Sequence, residues 1–348
     1  MQYRLLFFML ILLGCSENTS TSADIVKGEL TCKPIIVVYP IWKHSTEELA
    51  NLPWNEFTHI VIAAIYPKDN GDILSEQADQ FIDALVTLAH SKNKKVIISV
   101  GGAGNASKGF IALSKTQQGI NDFTDNLLAY VKQHNLDGID IDWEFWSYQH
   151  IHAKGGNDPI ESQQLVNLLK TIRKNISDDT LLTTDISPGY WLGEQYLAEL
   201  QDYSDYINLM AFDFTGAWSE SPIGYHSDYE TFVKSIELVL AKGFKKNKLL
   251  VGLPAYGIEF EDGKNLAIKH HAYRDIVTLL DNNAGELEKE KFKNIYFETP
   301  KSMLKKTQYV QDNSLAGVFL FEVTSDHKSE QHSLLTAINS VIRPKRCQ

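Results

Sequence analysis

The chain has 348 residues, of which 43% are hydrophobic and 22% charged, and its formal net charge at pH 7 is −11. This is the composition of an ordinary soluble globular protein, long enough for one large α/β barrel or two small domains. A surface with this excess of carboxylates repels phosphate backbones and anionic lipid headgroups, so the composition excludes nucleic acid as a partner.

The first 15 residues have the layout of a bacterial secretory signal. Arg4 precedes nine apolar residues at positions 5–13, which are too few to cross a hydrocarbon core of about 30 Å as a helix. The residues that end at Cys15, LLGC, resemble a bacterial lipobox. That resemblance implies that Cys15 becomes the lipid-bearing first residue of the mature chain. An ordinary cleaved signal is the alternative.

Residues 16–31 are predicted to form a polar tether ahead of a folded domain over residues 32–348. Loss of Arg4 with the signal takes the net charge from −11 to −12, so membrane association is expected through the lipid alone. We therefore expect an exported protein, anchored by its lipid to the bacterial outer membrane or the cell surface. A secreted or periplasmic protein is the alternative.

Alternating strand and helix patterns fill the rest of the chain. The strands are predicted at residues 34–39, 58–65, 95–100, 136–146, 181–186, 206–212, 249–253 and 316–321. Helices are predicted from Ser45, with Glu48 completing a capping box, and at residues 75–92, 114–134, 158–175, 228–241, 271–280 and 329–341. Eight such units predict a (β/α)8 barrel. An open doubly wound sheet is the alternative, but no glycine-rich phosphate loop follows the first strand.

The fourth strand carries three carboxylates on one face. In LDGIDIDWEFW, residues 136–146, the side chains of Asp140, Asp142 and Glu144 alternate with apolar residues at the period of a strand. Neighbours two apart lie about 6 to 7 Å from each other, so burial and repulsion keep at least one protonated at neutral pH. General acid catalysis requires such a proton. Asp137 has the opposite parity, and we interpret it as structural.

A solvated edge strand, or a carboxylate cluster that holds a divalent cation, would use the same acids. However, Trp143, Phe145 and Trp146 are too hydrophobic for an open edge. A metal site also gathers oxygen ligands from several elements. Aromatic side chains beside acids are typical of a site for a sugar ring.

The acidic strand also carries a family signature. Residues 137–144, DGIDIDWE, reproduce the pattern DxxDxDxE, and in this the chain resembles glycoside hydrolase family 18, the chitinases and their relatives. The sequence SVGG at residues 99–102 is similar to the SxGG motif of that family, and LMAFD at residues 209–213 to its MxYD motif. The resemblance covers most of the chain and implies that residues 32–348 are a catalytic TIM barrel.

The resemblance implies a retaining, substrate-assisted hydrolysis of β-1,4-linked N-acetylglucosamine in chitin or chitooligosaccharides. Glu144 would protonate the glycosidic oxygen while the acetamido oxygen of the substrate attacks the anomeric carbon. Asp142 would orient the acetamido group, Asp140 would share a proton with Asp142, and Asp213 would support the same sugar. No metal or cofactor is needed, and the chain is expected to act as a monomer.

Further residues are expected around the sugar. The predicted substrate-binding residues are Met210, Phe212, Tyr256, Phe321, Trp42, Trp146 and Trp218. Phe212 departs from the family pattern, which has tyrosine there, and Phe321 stands where tryptophan is usual. Ser99, Gly101 and Gly102 are expected to form a structural lining, where a larger side chain would crowd the acidic strand.

Family members with an α+β subdomain between strands seven and eight have deep, tunnel-like clefts. Here the chain between Tyr256 and Ala316 is too short for a full subdomain. We therefore expect a shallower, more open groove.

Three other functions use similar features. One is an endo-β-N-acetylglucosaminidase that cleaves the core of N-glycans, and another is a weakly active or noncatalytic relative that binds chitooligosaccharides. Such binding proteins generally lose the acid, whereas Glu144 is present. The third is a metal-dependent barrel enzyme.

Two cysteines, Cys32 and Cys347, remain beyond Cys15. The last helix of a closed barrel runs back to the face where strand one begins, so these two residues are expected close together, in a disulfide bond that an exported compartment permits. Two free thiols are the alternative.

Overall fold

The computed structural model describes residues 32–145, 159–187, 196–218, 221–261, 264, 268–280 and 284–343. The predicted signal, Cys15 and the tether lie outside these residues and stay predictions. Across the described ranges, no helix is both long and apolar enough to cross a bilayer.

Parallel strands form a closed barrel. Its strands are β1 Ile35–Pro40, β2 His59–Pro67, β3 Lys95–Gly102, β4 Gly138–Trp143, β5 Leu181–Ile186, β6 Tyr206–Leu209, β7 Leu249–Pro254 and β8 Gly317–Phe321. Successive strands pair in parallel, and β1 pairs with both β2 and β8, which closes the ring. The predicted (β/α)8 barrel is confirmed. Its carboxyl ends meet on one face, where barrels of this kind place their active sites.

The strands are mostly apolar because both of their faces are covered. In β1, Val37 and Tyr39 join the core between strands and helices, whereas Ile36 and Val38 join the interior of the barrel. This alternation decides which residues of each strand can reach a site inside the barrel.

Helices cover the outside of the barrel. They are α1 Thr46–Ala50, α2 Glu76–Asp79, α3 Ile82–Ser91, α4 Lys108–Leu113, α5 Gln117–Gln133, α6 Pro159–Asn175, α7 Leu200–Tyr203, α8 Tyr229–Ala241, α9 Tyr273–Leu280, α10 Ala284–Leu287, α11 Pro300–Asp312 and α12 Leu334–Ile342. The predicted helix at residues 75–92 is divided into α2 and α3. Phe81 leaves helical geometry there, at a φ of −142°, and stacks on His44.

Strand β6 ends earlier than predicted, at Leu209 rather than Phe212. After it, the N–H groups of Ala211 and Phe212 bond to carbonyls only two residues back, at 2.8 Å each, so the backbone turns tightly. Asp213 then has a φ of 55°, in the left-handed region that aspartate tolerates better than most residues. The turn directs Asp213 toward the axis of the barrel face.

Between β7 and β8 the chain forms a small antiparallel sheet, here called the side sheet. Its strands are Tyr256–Phe260, Ile268–Ala272, Lys291–Phe292 and Ile295–Tyr296. Neither the side sheet nor α11 was expected, because these strands are short and partly polar, without a clear apolar alternation. Contacts group Cys32–Gln348 into one compact unit, so the side sheet is part of the barrel domain.

Cys32 lies three residues before β1 and is disulfide-bonded. Cys347 lies outside the described residues. The pairing of Cys32 with Cys347 therefore stays a prediction.

Candidate active site

A cavity of about 400 Å³ opens at the carboxyl ends of the strands. Three alternating acids line this cavity: Asp140 and Asp142 on β4, and Glu144 directly after it. Between them, Ile141 and Trp143 point away and are fully buried, and Trp143 stacks on Phe110. The period of two thus separates a reactive face from a packing face on one short strand.

Asp140 lies deepest in this row and accepts hydrogen bonds from three neighbouring strands. Ser99 on β3 donates at 2.8 Å, Thr183 on β5 at 2.5 Å and Asn208 on β6 at 3.1 Å. Asp140 is 3% exposed. These bonds fix the carboxylate at the bottom of the cavity and satisfy both of its oxygens.

The next two acids of the row, Asp142 and Glu144, keep their protons to a higher pH than ordinary carboxyl groups do. Burial, followed by the charges of Glu144 and Asp140, holds the pKa of Asp142 well above its ordinary value. Burial and the charge of Asp213 raise the pKa of Glu144 to about 8. The Oδ1 atom of Asp142 is buried and accepts no hydrogen bond from any residue that the structure describes. A buried polar atom without a protein partner is a natural contact for a ligand.

Gly101 and Gly102 allow β3 to pack closely against the acidic strand β4. A Cβ on Gly101 would lie 2.2 Å from the carbonyl oxygen of Asp142, and a Cβ on Gly102 would lie 3.8 Å from Asp142 Oδ2. Both glycines have positive φ angles, 112° and 115°. Ser99 instead donates to Asp140. The SxGG segment therefore lines the acidic strand as expected, with Gly101 making the closest approach.

Asp213 faces the acids from the turn after β6. Tyr256 donates to its Oδ1 atom at 2.5 Å, and the buried ring of His226 places Nδ1 3.3 Å from the same oxygen. Desolvation raises the pKa of Asp213, but the contact with His226 and the hydrogen bond from Tyr256 lower it, and the pKa lies below its ordinary value. Asp213 is therefore an ionised neighbour that helps Glu144 keep its proton.

An apolar wall faces the acids across the cavity. Phe212 stacks on Phe321, with ring centroids 5.9 Å apart and an interplanar angle of 28°. Met210 and Trp218 line the cavity beside them. The structure thus brings four of the predicted substrate-binding residues to one pocket, while Tyr256 contacts it through Asp213.

Other predicted residues lie elsewhere. Trp42 follows β1 and is 53% exposed, outside the cavity lining. Trp146 lies outside the described residues, so its role stays a prediction. Asp137 accepts hydrogen bonds from His90 and from the N–H of Val96, which agrees with a structural role in the turn before β4.

The side sheet closes one flank of the cavity. Ile258, Ile268 and His270 line it from this sheet. The short insertion between β7 and β8 therefore forms part of the cavity wall. His270 lies beside Tyr256, with ring centroids 5.3 Å apart.

Several polar residues of the cavity were not predicted from the sequence. Asp185, Asn208 and His270 line it, and His226 supports Asp213. Asp185 and Asn208 follow the inward parity of β5 and β6, so this parity was an available signal. The histidines carried no signal, because their positions depend on the side sheet and on the loop after β6.

Within the described ranges, no group of three or more histidine, cysteine, aspartate or glutamate residues has the arrangement of a metal site. What the cavity does hold is a buried protonated acid beside an ionised one, opposite aromatic rings. A protonated carboxyl beside an ionised one, at the strand ends of a (β/α)8 barrel, is an arrangement suited to general acid catalysis.

Comparison with known proteins gives the family. The profile of Glycosyl hydrolases family 18 matches residues 35–326, and the chain belongs to this family. It is similar to the chitinase of Autographa californica nuclear polyhedrosis virus, with 27% identity over 72% of this chain and 53% of that protein. The chain thus spans about half the length of that relative.

Solved structures agree on the fold. The chain is similar to a chitinase from Bacteroides thetaiotaomicron, with a TM-score of 0.77 and 22% identity over 91% of this chain and 99% of that one. It is also similar to a mutant of Class V chitinase from Nicotiana tobaccum in complex with NAG4, with a TM-score of 0.75 and 18% identity over 89% of this chain and 99% of that one.

Proposed function

We propose that this protein hydrolyses β-1,4-linked N-acetylglucosamine in chitin or chitooligosaccharides and retains the anomeric configuration. One observation carries the proposal: Glu144 is buried at the cavity with a pKa raised to about 8, so it holds a proton at neutral pH. Membership of family 18 and the chitinases among its relatives support the same chemistry.

Each residue has a separate task in the proposed reaction. Glu144 donates its proton to the glycosidic oxygen, so that the bond to the anomeric carbon can break. The acetamido oxygen of the substrate attacks that carbon and gives an oxazolinium ion, which water then opens. Asp142, whose Oδ1 atom is buried and accepts no bond from the described chain, orients the acetamido group.

Asp213 and Tyr256 support the same sugar. Their 2.5 Å hydrogen bond holds the Asp213 carboxylate toward the cavity. Phe212 and Phe321 offer aromatic faces against which the ring can pack. Trp42 and Trp146 are proposed as outer contacts for a longer chain.

The substitution Glu144→Gln tests the proposed acid. The amide keeps the shape of the side chain but has no acidic proton, so hydrolysis should fall by about 10²- to 10⁴-fold while oligosaccharide binding persists. Parallel assays should use chitooligosaccharides, cellooligosaccharides and a high-mannose glycopeptide. Hydrolysis of cellooligosaccharides, which lack the acetamido group, would argue against a nucleophile supplied by the substrate. Preference for the glycopeptide would favour the N-glycan endoglycosidase.

An assay with excess chelator distinguishes a metal-dependent hydrolase from the proposed mechanism. Activity that survives excess chelator fits the proposed mechanism, in which all groups come from the chain and the substrate. Loss of activity that added metal restores would favour a metal-dependent hydrolase.

We also propose that the chain is exported and lipid-anchored through Cys15, and that it acts as a monomer. The support for the anchor is the LLGC sequence that ends at Cys15 and the polar residues after it. Mass spectrometry of the mature amino terminus tests this, and a chain that starts beyond Cys15 without acyl groups would contradict it.

Cys347 is proposed as the disulfide partner of Cys32. The support is the topology, because β1 pairs with β8 and α12 follows β8. Counting alkylated thiols before and after reduction tests the pair. Two thiols that alkylate in the native exported protein would contradict it.

A further inference from the structure

His226 is buried behind the wall of the cavity, in the chain between β6 and α8. It is 2% exposed and is not among the residues that line the cavity. The N–H of Phe214 donates to the carbonyl of His226 at 2.9 Å, and the hydroxyl of Ser227 donates to the carbonyl of Ala211 at 2.8 Å. These bonds fold the segment that carries His226 back onto the turn that presents Asp213.

The two ring nitrogens of His226 contact different groups. Nε2 lies 3.2 Å from the carbonyl oxygen of Tyr256. A carbonyl oxygen only accepts hydrogen bonds, so Nε2 carries a proton and donates it. Nδ1 lies 3.3 Å from Oδ1 of Asp213. The ring also packs on the ring of Tyr256, with centroids 4.7 Å apart and an interplanar angle of 30°. One imidazole therefore contacts both partners of the hydrogen bond between Tyr256 and Asp213.

The contact of Nδ1 with the carboxylate indicates the charge of the ring. Nδ1 is buried and makes no directed hydrogen bond with the described chain, so its contact with Asp213 is either an ion pair or a repulsion. Without a proton, the lone pair of Nδ1 would face a carboxylate oxygen at 3.3 Å, with no water or donor group to separate them. Since Nε2 already carries a proton, a second proton on Nδ1 replaces this repulsion by an attraction. His226 is then an imidazolium, and Asp213 is its counter-charge.

The other titratable groups around this pair are neutral at pH 7. Burial and the charge of Asp213 hold the pKa of Tyr256 well above its ordinary value, so the hydroxyl keeps the proton that it donates. Glu144 keeps its proton up to about pH 8. Burial lowers the pKa of His270, which lies beside Tyr256, so this second ring carries no charge at pH 7.

One further cation lies near the same segment. Lys306 donates to the hydroxyl of Ser227, the residue after His226, at 2.9 Å, and it is paired with the buried Glu298. The charge of Lys306 is thus balanced by its own carboxylate. Among the described charged groups around the ring, Asp213 is the one left to balance His226.

We propose that His226 is a positioning residue for the reaction: as an imidazolium it bridges Asp213 and the backbone of Tyr256, and it keeps Asp213 in place and ionised at acidic pH. This inference rests on the proposed function, because His226 acts on the reaction through Asp213. The oxazolinium ion of the proposed reaction is positively charged, so an ionised carboxylate beside it favours its formation.

The first experiment records pH–rate profiles of His226→Gln and His226→Leu on a chitooligosaccharide. Both variants remove the positive charge, whereas only glutamine keeps an N–H donor for the carbonyl of Tyr256. Without the cation, burial should raise the pKa of Asp213. The acidic limb of kcat/KM should therefore move to higher pH by about one to three pH units in both variants. At neutral pH, His226→Gln should retain more of the wild-type kcat than His226→Leu.

His134→Gln is the matched control. His134 is also buried, at 6% exposure, and its Nδ1 lies 2.7 Å from Oδ1 of Asp83. This pair lies before the start of β4, at the opposite end of the strand from Glu144, so the control should leave the acidic limb in place. An unmoved acidic limb in both His226 variants would overturn the proposal. A shift of the same size in His134→Gln would also overturn it, because the limb would then respond to the loss of any buried histidine.

The second experiment does not depend on activity. Nitrogen-15 spectra of the chain labelled at histidine distinguish an imidazolium, with both ring nitrogens protonated, from either neutral tautomer. The signals of His226 are those that are absent from the spectrum of either His226 variant. At pH 7 they should show a proton on Nδ1 and on Nε2, and an Nδ1 without a proton would overturn the proposal. This result would stand even if the chain hydrolyses none of the sugars tested, so the two proposals fail separately.

Discussion

Glu144 sets the pH range in which the proposed reaction can run. Its pKa is raised to about 8, first by burial and then by the negative charge of Asp213. Below that pH the proton for the glycosidic oxygen is present, and above it the proton is lost. We expect kcat/KM to fall about tenfold for each pH unit above about pH 8, because only the protonated form donates. A pH–rate profile on a chitooligosaccharide measures this. A steep alkaline decline that begins below pH 6 would contradict the assignment.

Asp213→Asn is expected to move the alkaline limb of the pH–rate profile, where kcat/KM falls, to lower pH. The variant removes the negative neighbour that helps Glu144 keep its proton, while burial continues to raise the pKa of Glu144. The pKa of Glu144 that this limb reports should therefore fall, but it should stay above the pKa of an exposed glutamate. The same pH–rate profile measures the shift, and an unchanged limb would mean that burial alone sets the pKa of Glu144.

Phe212→Tyr tests the main departure from the family pattern. Phe212 lines the cavity beside Met210 and Asp213, and in the proposed reaction a tyrosine hydroxyl at this position would donate to the acetamido group. We expect the variant to raise turnover on chitooligosaccharides by about tenfold, equivalent to about 1.4 kcal/mol of transition-state stabilisation. Phe214→Tyr is the control, because Phe214 packs against the outer core and should leave turnover unchanged. Unchanged or lower activity in Phe212→Tyr would indicate a pocket built for another ligand.

At the scale of elements, the contact between β3 and β4 positions the acids. A Cβ on Gly101 would lie 2.2 Å from the carbonyl oxygen of Asp142, and its φ of 112° is one that alanine rarely adopts. Gly101→Ala should therefore displace β4, lower the free energy of unfolding by about 1 to 3 kcal/mol and lower turnover. Denaturant titration and kinetics measure the two effects. Gly285→Ala, where a Cβ meets nothing within 4 Å, is the control: it should leave turnover unchanged and should not lower stability, because alanine favours the short helix there.

Runs of apolar residues predicted the barrel strands because both faces of these strands are buried. The ends of the elements were predicted less well. Strand β6 stops at Leu209 because the next residues turn to present Asp213, a local constraint that hydropathy does not reveal. The side sheet was missed for a similar reason, since its partly polar strands depend on one another and on the barrel beneath them.

At the scale of the whole molecule, the site combines residues that are distant in sequence. The acids of β4 were predictable because they lie on one strand and share one parity. Asp185 and His226 were not, since their importance depends on which strands and loops become neighbours after the barrel closes. Sequence patterns therefore predicted the reactive strand, whereas the closed fold determines which neighbouring residues shift the pKa values of its acids.

Buried Lys306 connects α11, the helix after the side sheet, to the segment that follows β6. Lys306 of α11 is 1% exposed and pairs with Glu298, which is also buried. Lys306 also donates to the Ser227 hydroxyl at 2.9 Å, and Ser227 in turn donates to the carbonyl of Ala211 at 2.8 Å. Ala211 belongs to the turn that presents Asp213. Lys306, held by Glu298, thus connects α11 through Ser227 to the segment that carries part of the site.

Lys306→Met should lower the free energy of unfolding by about 3 to 5 kcal/mol, because it leaves the Glu298 carboxylate buried without a counter-charge. Adding Glu298→Leu to this variant should recover most of the loss, since two apolar side chains can replace a buried ion pair without leaving a charge. Denaturant unfolding of the two single variants and the double variant gives the coupling energy directly. Lys301→Met, at an exposed position of the same helix, is the matched control and should change stability by less than about 0.5 kcal/mol. Equal, small effects of Lys306→Met and Lys301→Met would show that the link between α11 and the site contributes little to stability.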